Sequence, residues 1–248
     1  MGSPALVAVA HGSRDPRSAA TVAELMAEVR AQRPDLDVRV SFLDLSAPRL
    51  PDVLDAVAAD GHARAVVVPL LLGHAFHARV DVPGAVATAR RRLPGLDIAV
   101  APVLGGHDGL STAALHRLAA VAGPLDDPGL GVVLAAIGSS HAPANAAVVE
   151  VAAGWTRRFG WHGGTAAFAT TTTPTVADAV TALRADGAQR VAVAQWILAP
   201  GLLPDRIVRD ATAAGAPVAA PLGPDPAVAR AVLDRFAVAQ GALAASAA

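Results

Sequence analysis

Short apolar runs alternate along the chain with longer segments whose apolar residues recur every three or four positions. The run over residues 5–10 predicts a strand, and the spacing over 18–33 predicts a helix that stops before Pro34. Residues 66–72 are apolar almost throughout, as in a strand buried on both faces of a parallel sheet. Alternating strands and helices predict an α/β protein with right-handed crossovers between parallel strands.

The same pattern predicts the other elements of the first half. Strands are expected over 38–43 and 98–103, and helices over about 48–59, 82–93 and 110–121. Asp81, directly before Val82 and Pro83, is the expected N-cap of the third of these helices.

Residues 122–131, AGPLDDPGLG, interrupt the alternation and mark a domain boundary, after which the pattern begins again. A shift of 126 residues superposes several pairs: Gly12 on Gly138, Ser13 on Ser139, Phe42 on Phe168 and Pro48 on Pro174. So many matches at one shift predict a duplicated domain. We therefore expect domains at 1–124 and 125–248, each a four-stranded, mainly parallel sheet flanked by helices.

The first copy carries potential metal ligands after its first three strands: His11, Asp44 and His77. At the same shift, the second copy carries apolar or hydroxylic residues: Ile137, Thr170 and Leu203. Because parallel α/β sheets build their sites outside the carboxyl ends of the strands, the three first-copy side chains are expected to converge. Two imidazoles and a carboxylate suit Fe, Co, Ni or Zn better than Mg or Ca.

Composition narrows the chemistry. The chain has no Cys, which excludes thiolate ligands, disulfides and a cysteine nucleophile. A net charge of −1 and 3% aromatic residues argue against a nucleic-acid partner. No apolar stretch approaches the ~18 residues of a membrane span, so a cytoplasmic protein without a membrane partner is expected.

Two motifs, at 11–16 and at 73–83, together resemble those of the sirohydrochlorin chelatases, which include cobaltochelatases and ferrochelatases. HGSRDP at 11–16 follows the first strand, and GHAFHARVDVP at 73–83 follows the third. The segment LAPGLLPDRI at 198–207 is similar to the degenerate second copy of the longer family members. The resemblance therefore extends over nearly the whole chain.

The resemblance implies two similar α/β domains facing one cleft, with a metal-free tetrapyrrole between them. The reaction would insert Co²⁺ or Fe²⁺, as a substrate, in cobalamin or siroheme biosynthesis, without an organic cofactor. By the resemblance, His11 and His77 bind the ion, and His11 also accepts a pyrrole proton. Asp44 stands where the family commonly has Glu, so it either binds the metal directly or acts through a water molecule.

Residues beside these ligands are expected to contact the tetrapyrrole. The resemblance places these in two segments of the first copy: Gly12, Ser13, Arg14, and Leu72, Gly73, His74, Ala75, Phe76. His74 replaces a usually small residue and either adds a ligand or narrows the pocket. Repeat symmetry adds a third segment without a metal ligand: Ser139, Ser140 and His141.

Two other functions fit parts of the pattern. A non-catalytic carrier of a tetrapyrrole or metal needs the same cleft. A phosphoryl-transfer enzyme would use His11 as nucleophile and Arg14 on the phosphate, but it leaves Asp44 and His77 unexplained. Because the two copies are fused, we expect a monomer that replaces a homodimer of single-copy proteins.

Overall fold

The computed structural model describes residues 3–73 and 80–246. These residues form two separate parallel sheets, one of four strands and one of three, flanked by helices. The chain divides into two compact units. The first comprises Met1–Leu110 and Pro224–Ala248, and the second comprises Ser111–Gly223. The predicted α/β class and the division into two sheets are confirmed.

The first unit contains the four-stranded sheet, in the order β2-β1-β3-β4 with every neighbouring pair parallel. Its strands are β1 Ala5–Ala10, β2 Val38–Phe42, β3 Arg64–Pro69 and β4 Asp97–Val100. All six residues of β1 are buried, as the apolar sequence of a central strand requires. The carboxyl ends of β1, β2 and β3 therefore lie side by side at one edge.

Helices cover both faces of this sheet. In chain order the first four helices of the protein are α1 Pro16–Gln32, α2 Leu50–Ala59, α3 Val82–Arg92 and α4 Asp108–Ala122, of which α4 lies mostly in the second unit. Buried residues of α2 and α3, among them Leu54 and Val86, pack with β1 and β3 in one apolar core. Asp81 stands at the N-cap of α3, but its backbone is itself helical and its side chain makes no capping bond. The predicted start of this helix, with Asp81 at the N-cap position and Pro83 in the first turn, is nevertheless confirmed.

The third strand ends earlier than the apolar run predicts. β3 stops at Pro69, which is in register with Val9 of β1. Leu70 still donates its N–H to Val9 O, but β1 has only one residue left to offer as a partner. Residues 70–72 therefore leave the ladder, and Leu71 O accepts from Leu104 and Gly105, in the loop after β4.

The second unit contains the three-stranded sheet, in the order β6-β5-β7. Its elements are β5 Leu130–Ala136, α5 Ala142–Phe159, β6 Gly163–Phe168, α6 Val176–Ala185, β7 Arg190–Gln195 and α7 Leu202–Ala213. The prediction of a fourth strand here is wrong. Only an isolated parallel bridge joins Val193 to Val218, because Pro217 has no N–H with which to extend a ladder.

The last helix, α8 Pro226–Ser246, belongs to the first unit. It packs against α1, β3 and β4, and Arg235 Nη2 donates to Gly105 O at 2.9 Å. Conversely, most of α4 belongs to the second unit, where Arg117 donates to Leu222 O. The compact units thus differ from the halves 1–124 and 125–248, because the final helix of each half lies mainly in the other unit.

Among the helices of the described chain, none combines the length and apolar character needed to cross a membrane.

Candidate functional site at the carboxyl edge of the first sheet

The first strand delivers His11 to the carboxyl edge of its sheet. β1 ends at Ala10, and His11 follows at once with an exposed side chain. The next residue, Gly12, has a φ of +97°, a region that L side chains rarely adopt. A Cβ on Gly12 would lie 1.7 Å from Asp44 O, so only glycine permits this approach of two loops.

The second strand delivers Asp44 to the same edge. The N–H of Asp44 donates to His11 O at 2.9 Å, which fixes the two strand ends against each other. The Asp44 carboxylate accepts from Leu45 N at 2.8 Å and lies 3.2 Å from Arg49 Nη2. Its side chain is 60% exposed, so it remains accessible from solvent.

A cavity of about 530 Å³ opens between these strand ends and the first turns of α2 and α3. His11, Leu43 and Asp44 line it from the strand ends. The helices and the preceding loop supply the rest of the lining: Arg49, Leu50, Pro51, Asp52, Asp81 and Ala85. His11 and Asp44, two of the predicted ligands, thus share one cavity.

The polar lining of this cavity is mainly acidic. Among the residues that the structure describes, three carboxylates, those of Asp44, Asp52 and Asp81, line it together with one guanidinium, that of Arg49. Such a surplus of negative charge attracts cations and raises their local concentration. The electrostatics therefore suit a divalent ion that enters from solvent.

The loop after His11 leads into α1 and is held there by hydrogen bonds at the N-cap of the helix. Asp15 is the N-cap and accepts from Arg17 N, while the Arg17 guanidinium donates to both of its carboxylate oxygens. These hydrogen bonds lower the pKa of Asp15 below its ordinary value. Asp15 N in turn donates to Ser13 Oγ at 3.1 Å, so the loop has a defined path between β1 and α1.

Several predicted site residues lie outside the described part of the chain: His74, Ala75, Phe76 and His77. Within residues 3–73 and 80–246, no three histidine or acidic side chains form a group that could hold a metal ion. The three-ligand arrangement with His77 thus stays a prediction. The structure does bring His11 and Asp44 together.

The other predicted first-copy residues lie around the same edge. Gly12 and Ser13 are half-buried and Arg14 is exposed in the loop after β1. Leu72 and Gly73 are half-buried beyond the end of β3. The carbonyl of Leu72 would lie 2.5 Å from a Cβ on Gly105, so the loops after β3 and β4 also make a close backbone contact.

The second copy builds the same strand-end loops without the candidate ligands. Thr170 N donates to Ile137 O at 2.9 Å, as Asp44 N donates to His11 O. Gly138 has a φ of +92°, and a Cβ there would lie 2.2 Å from Thr170 O. The backbone structure of these loops is therefore duplicated, but the candidate metal ligands His11 and Asp44 are not.

The predicted second-copy contacts follow β5. Ser139 and His141 are half-buried, Ser140 is exposed, and His141 occupies the N-cap position of α5. His141 N donates to Ser139 Oγ at 3.1 Å, the counterpart of the bond between Asp15 N and Ser13 Oγ. Their contact with a substrate stays a prediction.

Some residues of the site were not predicted from the sequence. Arg49, Asp52 and Asp81 line the cavity, although none of them follows a strand directly. Arg49 and Asp52 flank the start of α2, and the segment PRLPD at 48–52 places both near the Asp44 loop. That proximity in sequence could have indicated them.

The fold of two parallel-sheet units is shared with a solved protein. SirB from Bacillus subtilis, solved with Fe³⁺, superposes with a TM-score of 0.81, covering 94% of this chain and 94% of that one at 23% identity. At that identity the likeness establishes the fold: a two-unit α/β protein of the SirB type.

The sequence comparisons agree with this class. The CbiX family model matches residues 5–121 and again 131–239, so the chain belongs to the CbiX family. The sirohydrochlorin ferrochelatase of Bacillus subtilis strain 168 is 29% identical over 136 residues, which are 55% of this chain. The sirohydrochlorin cobaltochelatase of Methanothermobacter thermautotrophicus is 33% identical over 75 residues, or 30% of this chain. The matches cover 51% and 52% of those relatives, about half their length.

Proposed function

We propose that this protein is a sirohydrochlorin chelatase that inserts Co²⁺ or Fe²⁺ into the tetrapyrrole. The observation that carries this proposal is the family match over both copies, which includes the loops bearing His11 and Asp44. Ferrochelatase and cobaltochelatase relatives both support the reaction class. The metal is thus a substrate, and the reaction belongs to siroheme or cobalamin biosynthesis.

The chemistry of insertion explains why the first-copy edge suits this reaction. A divalent ion that enters a tetrapyrrole displaces two N–H protons, so the site needs both a ligand and a base. A neutral imidazole serves as either, and it titrates near neutrality. In the proposal His11 binds the incoming ion and then accepts one pyrrole proton, the other proton passes to solvent, and His77 supplies the second imidazole.

The acidic cavity supplies the cation-attracting part of the mechanism. Asp44, beside His11, draws the ion toward the imidazole, and Asp52 and Asp81 extend the negative field. The ligation must remain open, because an ion in a closed four-ligand cage would not be transferred. The exposed positions of His11 and Asp44 agree with such weak, accessible ligation.

The substrate contacts proposed from the resemblance and the repeat lie on the strand-end loops of both copies. The first-copy contacts are Gly12, Ser13, Arg14 and residues 72–76, and the second-copy contacts are Ser139, Ser140 and His141. A monomeric state and the lack of an organic cofactor stay predictions.

The test is anaerobic insertion into sirohydrochlorin, followed by absorbance, with Co²⁺, Fe²⁺ and Ni²⁺ supplied separately. We expect many turnovers per protein molecule when metal and tetrapyrrole are in excess. A single stoichiometric binding event without turnover would instead indicate a carrier. Phosphate release by wild type that is lost in His11→Ala would favour the phosphoryl-transfer alternative.

A further inference from the structure

One hydroxyl group joins the loop that carries His11 to the loop that carries Asp44. Ser46 Oγ accepts from Ser13 N at 3.1 Å and donates to Ser13 O at 3.0 Å. Ser13 and Ser46 are both half-buried. Because the bonds span 33 residues, they tie two separate strand-end loops together rather than stabilise one turn.

The second copy satisfies the same backbone groups differently. There the N–H of Ser139 donates to Asn145 Oδ1 at 2.9 Å, and Asn145 Nδ2 donates to Ser139 O at 2.7 Å. Asn145 lies in α5, the helix that follows the same loop, so this clasp is local. The first-copy counterpart of Asn145 is Ala19, which has no polar side chain.

The two clasps therefore differ in what they hold. The local clasp fixes the loop after β5 to its own helix. The Ser46 clasp fixes the loop after β1 to the loop after β2, in addition to the bond from Asp44 N to His11 O.

A side-chain bond between the strand-end loops also exists in the second copy, but it lies closer to the strands. Thr170 Oγ1 donates to Ile137 O at 2.9 Å, the same carbonyl that accepts from Thr170 N. That bond joins the same two residues as the backbone hydrogen bond, so it adds no attachment farther along the loops. The Ser46 clasp adds a second point of attachment, two residues beyond His11 and two beyond Asp44, in the copy that carries the candidate ligands.

We infer that Ser46 is a positioning residue that holds His11 and Asp44 at a fixed separation. The expected effect of Ser46 on metal binding and insertion rests on the proposed function. The two hydrogen bonds that tie the loops together do not. A displacement of about 1 Å at a reacting group costs about 10²-fold in rate, so a loosened tie is expected to be visible in catalysis.

The tie that Ser46 makes between the two loops is tested by amide hydrogen exchange on the full chain. Ser46→Ala should accelerate exchange at Ser13 about five- to tenfold, the factor expected for one lost hydrogen bond. Ser46→Thr keeps the hydroxyl and should restore protection. Exchange at Ser13 that is unchanged in Ser46→Ala would overturn the inference, whatever reaction the protein catalyses.

The functional part uses Co²⁺ titration and the insertion rate, with Ser41→Ala as the matched control. Ser41 Oγ also bonds across two elements, to Ala8 O at 2.9 Å, but it is buried within the sheet. We expect Ser46→Ala to lower Co²⁺ affinity and kcat/KM about tenfold or more. Ser41→Ala should lower the Tm and leave both quantities near wild type.

An equal loss in both variants would mean a general stability effect and would overturn the inference. If wild-type protein neither binds Co²⁺ nor inserts it, the proposed function fails, and the exchange measurement still decides the role of Ser46.

A double variant separates the tie between loops from loop rigidity alone. Adding Ala19→Asn to Ser46→Ala transfers the local clasp of the second copy into the first. We expect protection at Ser13 to return while kcat/KM stays low, because the second attachment between the two loops is still missing. Recovery of both would contradict the positioning role of Ser46.

Discussion

At the scale of single residues, Gly12 is the position where the site depends most on the absence of a side chain. The backbones of the His11 and Asp44 loops approach so closely that a Cβ would overlap Asp44 O. The positive φ adds a cost of roughly 1–2 kcal/mol for any residue with a Cβ. Both effects act at the base of the candidate site.

Gly12→Ala is therefore expected to lower the free energy of unfolding and to abolish metal insertion. The control is Gly61→Ala, because Gly61 has a φ of +86° but, apart from its chain neighbours, no residue of the described chain has an atom within 4 Å of the position that its Cβ would take. Urea unfolding of both variants separates the backbone cost from the overlap with Asp44 O. Equal destabilisation, with insertion retained in both, would show that the close approach is unimportant.

An ion pair directly before β2 makes the stability of the fold depend on pH. Arg39 Nη2 donates to Asp37 at 2.6 Å and thereby lowers the pKa of the Asp37 carboxyl below its ordinary value. A folded-state pKa below the unfolded value stabilises the protein above about pH 4, and this contribution is lost as pH falls through the folded pKa.

Asp37→Asn should consequently cost about 0.2–1 kcal/mol at pH 6, the range for partly exposed pairs, and progressively less toward pH 3. Urea unfolding at both pH values measures this, with the exposed Asp126→Asn as control. A cost for Asp37→Asn that is the same at pH 3 as at pH 6 would refute the assignment.

At the scale of elements, the sequence predicted strands and helices well where periodicity alone decides. The bounds of β1 were predicted to the residue, because a central strand is apolar from end to end. The end of β3 was not, since an apolar run does not reveal where the neighbouring strand stops offering partners. Pro217 similarly prevents a fourth strand in the second sheet, although its flanking residues are apolar.

The candidate site was predicted in part for the same reason. Comparison of the two copies singled out His11 and Asp44, which the fold brings to one cavity. Arg49 and Ser46 were missed, because their roles depend on how two loops pack and not on a strand end. The sequence pattern and the repeat thus identify candidate ligands, and the fold shows which residues hold the loops that carry them.

At the scale of the whole molecule, the division into units follows packing rather than the sequence repeat. The last helix, α8, completes the first unit through its contacts with α1, β3 and β4. The sequence repeat cannot reveal this. It shows that each copy ends in a helix, but not against which sheet that helix packs. Stability of the first unit should therefore depend on a helix that is distant in sequence from its sheet.

Phe236→Ala in α8 tests this dependence. Phe236 is 1% exposed, and truncation of a buried Phe typically costs about 3–5 kcal/mol. We expect faster amide exchange in β3, β4 and α1, with β5 to β7 less affected. As a control, Val238→Ala removes an exposed side chain of the same helix and should change little. Exchange that rises mainly in β5 to β7 would contradict the assignment of α8 to the first unit.

We propose above that His11, at the carboxyl edge of the first sheet, binds the metal and accepts a pyrrole proton during insertion. The most direct measurement is kcat/KM for anaerobic Co²⁺ insertion by wild type, His11→Ala and the control His162→Ala. The His162 ring bonds Asp186 O in the second unit, and His162 lies directly before β6, at the end of that strand opposite its carboxyl end. We predict a loss of about 10²–10⁴-fold for His11→Ala, the range for a catalytic acid or base, with an unchanged Tm because the side chain is exposed. His162→Ala should insert metal at the wild-type rate. Insertion by His11→Ala at the wild-type rate would contradict the claim.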